Sequence, residues 1–69
     1  MSGMRELIDE YEESIEGVNR KIAALQEILP ELTGKDIEIT HKKIKIYDSM
    51  IEDMIMCIHE MRMYIGDVQ

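Results

Sequence analysis

Between Met4 and Leu29 the apolar side chains recur at Met4, Ile8, Tyr11, Ile15, Val18, Ile22, Leu25 and Leu29, stepping alternately by four and three residues. That step marks a heptad, whose a and d positions form one stripe along an α-helix. With Ile8, Ile15, Ile22 and Leu29 at a, the d positions are Met4, Tyr11, Val18 and Leu25, and Leu7 and Ile28 widen the stripe at g. Gly17 falls inside the run, where glycine costs about 1 kcal/mol relative to alanine, so it weakens the helix without ending it.

Pro30 interrupts the pattern. It biases Leu29 away from helical geometry, and Thr33-Gly34-Lys35-Asp36 offers a capping hydroxyl with a carboxylate three residues on. The heptad then resumes, with Ile37, Ile44, Ile51, Ile58 and Ile65 at a and Thr40, Tyr47, Met54, Met61 and Val68 at d. Ile37-Glu38-Ile39-Thr40 alternates as a strand would, but the surrounding heptads outvote it. The pattern predicts helix 1 over about 4–29, a reversal at about 30–34 and helix 2 over about 35–66, one domain throughout. The fold class is all-α, an antiparallel coiled-coil-like hairpin. Folding it about the reversal sets Leu25 near Thr40, Val18 near Tyr47, Tyr11 near Met54 and Met4 near Met61, and leaves helix 2 unpartnered beyond about residue 62.

Helix 2 carries more apolar surface than one partner helix buries. Besides its seam it has Met50, Ile55, Cys57 and Tyr64, and farther round Ile39, Ile46, Met56 and Met63. Size makes this excess meaningful. A 69-residue chain buries only roughly 60% of its unfolded surface and needs a disulfide, a metal or a partner to be secure. The single Cys57 excludes an intrachain disulfide, so oligomerisation is the expected support. The expectation is a homodimeric four-helix bundle, with Met50, Ile51, Ile55, Ile58, Tyr64 and Ile65 serving self-association. Ile39, Ile46, Met56 and Met63 are the candidate surface for a different protein, since methionine suits adaptable contacts as well as cores.

Charge sharpens the orientation. The formal net charge of −7 opposes generic attraction to phosphate backbones and anionic membrane. Glu6, Asp9, Glu10, Glu12, Glu13 and Glu16 crowd the beginning, and Asp48, Glu52, Asp53, Glu60 and Asp67 recur late. Arg20, Lys21, Lys35, Lys42, Lys43 and Lys45 gather mid-chain. A hairpin built this way is acidic at its open end and basic towards its tip, which favours antiparallel protomers. The N-terminus lacks the basic region and apolar stretch of a signal peptide, and no apolar run approaches the ~18 residues of a spanning helix. A soluble cytoplasmic protein without a membrane partner is the expectation.

Candidate chemistry is sparse, and neither a metal nor a cofactor is expected. Glu38 and His41 have the Glu-x-x-His spacing of di-iron bundles, but they fall at b and e, whereas such ligands project inward. Glu52 and His59, both at b, read as a polar face beside Met56. Cys57 has no histidine in plausible local geometry and reads as a small core residue. Asp9, Glu10, Glu12, Glu13 and Glu16 suggest Mg²⁺, yet carboxylates early in a helix also simply complement its dipole. Lys42 and Lys43 invite a nucleic-acid reading of the tip, which lacks aromatic or arginine interleaving and any recognition-helix motif.

Two resemblances add to this reading. Arg5, Ile8-Asp9 and Glu12 are similar to the opening helix of the all-helical chorismate mutases. That implies a small helical enzyme, but only Arg5 matches the basic residues with which that family holds its dianionic substrate, and the chain is about a helix short. The text Met4-Arg5-Glu6-Leu7-Ile8-Asp9-Glu10-Tyr11-Glu12-Glu13-Ser14-Ile15, with the closing Met61-Arg62-Met63-Tyr64, resembles small uncharacterised helical-hairpin proteins of phages and prophages of Gram-positive bacteria. It implies an accessory or regulatory binding protein of the bacterial cytoplasm and transfers no site residue. The sequence therefore favours a non-enzymatic interaction module over a small helical enzyme or a nucleic-acid binder.

Overall fold

In a computed structural model, which describes residues 3–66, the chain is two α-helices packed against each other, α1 over Gly3–Ile28 and α2 over Lys35–Tyr64. They are joined by a single 3₁₀ turn, Leu29–Glu31. The molecule is a rod of 50 × 18 × 15 Å with a radius of gyration of 15.7 Å, where a compact domain of this length would have about 11 Å. The heptad frame accounts for what is covered. Every described a and d residue is buried or half-buried, with Ile8, Val18, Ile22, Ile58 and Thr40 the most enclosed. Val68 lies outside the described residues. The segment 37–40 is helical, as the surrounding heptads require.

Thr40 is the one polar residue among these five. No buried side-chain nitrogen or oxygen of the described residues lacks a hydrogen-bond partner, so its place in the seam leaves no orphaned group. None of the described side chains is wholly shut off from solvent, so the core is one layer of contact rather than an enclosed interior.

The reversal differs from its sequence-based expectation in two respects. Pro30 sits in the first turn of the 3₁₀ segment, where its missing N–H has no consequence, and Leu32 N–H closes that turn on the Leu29 carbonyl at 3.1 Å. Helical winding thus runs on to Glu31, and the chain turns at Leu32–Gly34. Thr33 does not cap α2 with its hydroxyl. The N-cap is Gly34, at φ 59° and ψ −132°, and the first turn is closed by Asp36 N–H on the Thr33 carbonyl and Ile37 N–H on the Gly34 carbonyl, both 3.2 Å. Positive φ with that ψ is open only to glycine at low cost. At the far end Ile65 N–H reaches the Met61 carbonyl, and Gly66, at φ 74°, turns the chain out in the left-handed conformation usual after a helix.

Moving the pivot moves the register. Tyr47 lies under the ammonium of Lys21, 5.9 Å from ring centroid to Nζ, and shares a groove with Leu25. Tyr11 shares a groove with Cys57, and Arg62 Nη2 donates to Glu12 Oε2 at 2.8 Å. Under the register expected from sequence, Arg62 would stand level with Gly3 and have to span about 13 Å along the axis to reach Glu12. The observed pairing lies about one turn further along α2. Side chains tilt towards the N-terminus of their own helix, so in an antiparallel pair Arg62 and Glu12 lean towards each other. The same shift removes the expected overhang: α1 reaches back to cover the end of α2, where Met61, Arg62 and Ile65 are half-buried.

Two glycines supply opposite predictions. At Gly17 a Cβ would meet only the end of the Arg20 side chain, at 3.9 Å, so Gly17→Ala should stabilise the protein by about 0.5–1 kcal/mol in chemical denaturation followed by circular dichroism. At Gly34 there is equal room but a positive φ, and Gly34→Ala should cost about 1 kcal/mol or more by the same measurement. Ile58, 6% exposed between the helices, should tolerate neither cavity nor charge. Ile58→Ala should cost about 2–5 kcal/mol, and Ile58→Asp should abolish the helical signal.

Candidate interaction surface

The two helices meet through a and d, which leaves the hairpin two open sides, one bordered by the g positions and one by the e positions. They are chemically different. On the e side stand Arg5, Glu12, Asn19 and Gln26 of α1 with His41, Asp48, Ile55 and Arg62 of α2. The Glu12–Arg62 ion pair crosses this side, half-exposed at both ends (43% and 47%), so it contributes at most about 1 kcal/mol but fixes which e residues lie opposite each other. A small depression lined by Arg5, Ile8, Asp9 and Arg62 lies beside it. Ile55 is the one large apolar residue exposed on this side of the described chain.

The g side is the more apolar of the two. It carries Leu7, Ser14, Lys21 and Ile28 of α1 and Asp36, Lys43, Met50, Cys57 and Tyr64 of α2. Leu7, Ile28 and Met50 are each 43–44% exposed and Tyr64 is 82% exposed. Two shallow grooves lie along this side, about 350 Å³ at the open end and about 310 Å³ near the reversal. The first is floored by Met4, Tyr11 and Met61 and rimmed by Leu7, Cys57 and Tyr64, with Glu60 at its edge. The second is lined by Ala24, Leu25, Ile28 and Tyr47 between Lys21 and Lys43. One apolar strip therefore ends in a carboxylate at one groove and in two ammonium groups at the other.

Position c adjoins g on a helix, so Ile39 and Ile46 extend the g side around α2. Both are more than half exposed. Met56 and Met63, at f, lie farther round on the outer surface of α2 and are also exposed. The four residues expected to meet a different protein thus divide into a pair continuous with the grooves and a pair outside them. The residues expected to serve self-association divide as well. Ile51, Ile58 and Ile65 are at a and are covered by α1, while Met50 and Tyr64 stand on the g side and Ile55 on the e side.

Cys57 is exposed, which corrects its reading as a core residue: its g position places it on the rim of the open-end groove rather than between the helices. The candidate chemical residues are not drawn together. Glu38, His41, Glu52 and His59 are all exposed, and Asp9, Glu10, Glu13 and Glu16 point around α1 while Glu12 is engaged by Arg62. Among the described residues no group of three or more His, Cys, Asp or Glu is placed to hold a metal ion. Lys35 and Lys42 at f, Lys43 at g and Lys45 at b are distributed around α2 instead of forming one basic face. No described helix is long and apolar enough to cross a membrane. The chain matches no family model, no curated protein and no solved structure.

Proposed function

We propose that the protein is a non-enzymatic interaction module, a helical hairpin that self-associates into a four-helix bundle. The observation that carries this reading is the concentration of exposed large apolar side chains on one side of the hairpin, where Leu7, Ile28, Met50 and Tyr64 at g are joined by Ile39 and Ile46 at c. The chain exposes 5491 Å², against about 4,500 Å² for a compact monomer of 8.1 kDa. The difference, about 1,000 Å², follows from the elongated shape, and a second hairpin lying alongside would cover part of it.

Burial of that strip would offset the small intrachain core at about 25 cal/mol per Å² of apolar area, less the cost of association. Met56 and Met63 would remain on the outside of such a bundle, as flexible apolar contacts for a further protein. This accords with the accessory or regulatory role, in a bacterial cytoplasm, that the resemblance to phage-encoded hairpins implies.

Light scattering over a hundredfold range of concentration should give a mass of about 16 kDa, twice the 8.1 kDa chain, with high helicity throughout. A folded protein that stays at the monomer mass at every concentration would reject self-association. Leu7→Asp probes the face itself. Because Leu7 is exposed in the isolated hairpin, the variant should keep its helicity at high concentration yet dissociate at least tenfold more readily than the parent.

A further inference from the structure

Resting on the self-association reading, we infer that the second copy docks on the g side antiparallel to the first, so that the lysine-flanked groove of each hairpin receives the acid-edged apolar end of its partner. Two independent features of the molecule select this arrangement. The first is charge. The open half of the rod, residues 3–17 and 51–66, has nine carboxylates (Glu6, Asp9, Glu10, Glu12, Glu13, Glu16, Glu52, Asp53, Glu60) against Arg5 and Arg62, a formal −7. The tip half, residues 18–50, has five (Glu27, Glu31, Asp36, Glu38, Asp48) against six cations (Arg20, Lys21, Lys35, Lys42, Lys43, Lys45), a formal +1. A parallel pair sets −7 beside −7, whereas an antiparallel pair sets −7 beside +1 at both ends. Across a low-dielectric apolar strip that difference decides orientation more than affinity.

The second feature is the match of apolar residues. Full overlap of two antiparallel hairpins puts the two-fold axis level with the middle of α2, near Met50, which then meets its own symmetry copy. Lys43, seven residues before Met50, falls level with the partner's Cys57, seven residues after it, between the partner's Asp53 and the partner's Glu60. Tyr64 falls level with the partner's Asp36 and within about one turn of the partner's Ile39, and Leu7 comes within about one turn of the partner's Ile28. Met50 and Leu7 thus find apolar counterparts, and each groove finds the opposite charge at its rim. In a parallel pair the two acidic halves would instead lie side by side, and so would the two basic tips.

The arrangement also states what Cys57 does not do. The two thiols would lie about 21 Å apart along the bundle, far beyond the 4.4–6.8 Å between Cα atoms that a disulfide needs.

Spin labels on Glu38→Cys in a Cys57→Ser background test the orientation, because Glu38 is exposed and stands on the side of α2 away from the grooves. Twelve residues from Met50 in each copy, the labels would be about 36 Å apart along an antiparallel bundle, so double electron–electron resonance should read more than about 35 Å. A separation under about 25 Å in a protein of dimer mass overturns the antiparallel arrangement while leaving self-association standing. A monomer mass with no dipolar signal overturns both. Independently, Lys43→Glu should raise the dimer dissociation constant about tenfold, since symmetry repeats the contact twice, and adding Glu60→Lys should restore it to within about threefold. A double variant no tighter than Lys43→Glu alone overturns the proposed pairing.

Discussion

The rest of the structure depends on one line of side chains, the seam in which α1 and α2 meet. Isoleucine at successive a positions of α2 keeps a stiff, β-branched surface facing α1, and the alternate d positions are filled by larger or softer groups, Tyr47, Met54 and Met61. Everything else follows from how little that line can do. Two helices in contact share only one stripe each, so even Ile58 retains some exposure and the rest of each helix faces solvent. Where such a surface is charged, the hairpin is complete. Where it is apolar, as at Leu7, Ile28, Met50 and Tyr64, the hairpin has surface that a single chain cannot cover.

Antiparallel pairing then divides this surface in two. It places g opposite g on one side and e opposite e on the other, so the chemistry of a side is set by two heptad positions read in opposite directions. At e the sequence supplies polar groups, among them Glu12 and Arg62, which meet because of the register. At g it supplies Leu, Ile, Met, Cys and Tyr broken by Lys21 and Lys43. The Lys21 ammonium over the Tyr47 ring shows how a cation is accommodated there, lying on an aromatic face without interrupting the strip.

The seam was legible in the sequence because a period of 3.5 residues sustained over both segments has few other physical meanings, and all its described members are covered in the structure. Helix bounds were legible to within about two residues, as Pro30 and Gly34 mark them. The register was not. It hangs on where the chain pivots and on how each side chain leans, because every residue by which the pivot moves displaces each cross-helix pair by two residues. Pro30 reads as a stop, yet it opens a 3₁₀ turn that carries the helix on to Glu31. The exposure of Cys57 escaped for a related reason: a small apolar residue one position before the buried Ile58 looks like core until the side on which α1 lies is known. The difference between the two sides was present in the heptad letters all along, and needed only the antiparallel pairing to sort them.

Folding and association would then be one process. A chain that buries a single seam has little surplus over the conformational entropy of ordering its two helices, and a large share of the apolar area available to it lies on the g side. If a second copy supplies the missing contact, the stability of the hairpin depends on its own concentration, and any protein that competes for the grooves also competes with folding. Gly17 belongs to the same balance. It lowers the intrinsic stability of α1 at the middle of the rod, where nothing but the end of the Arg20 side chain would meet a Cβ. In the proposed bundle, a weak hairpin with an apolar face would couple its folding to its partner.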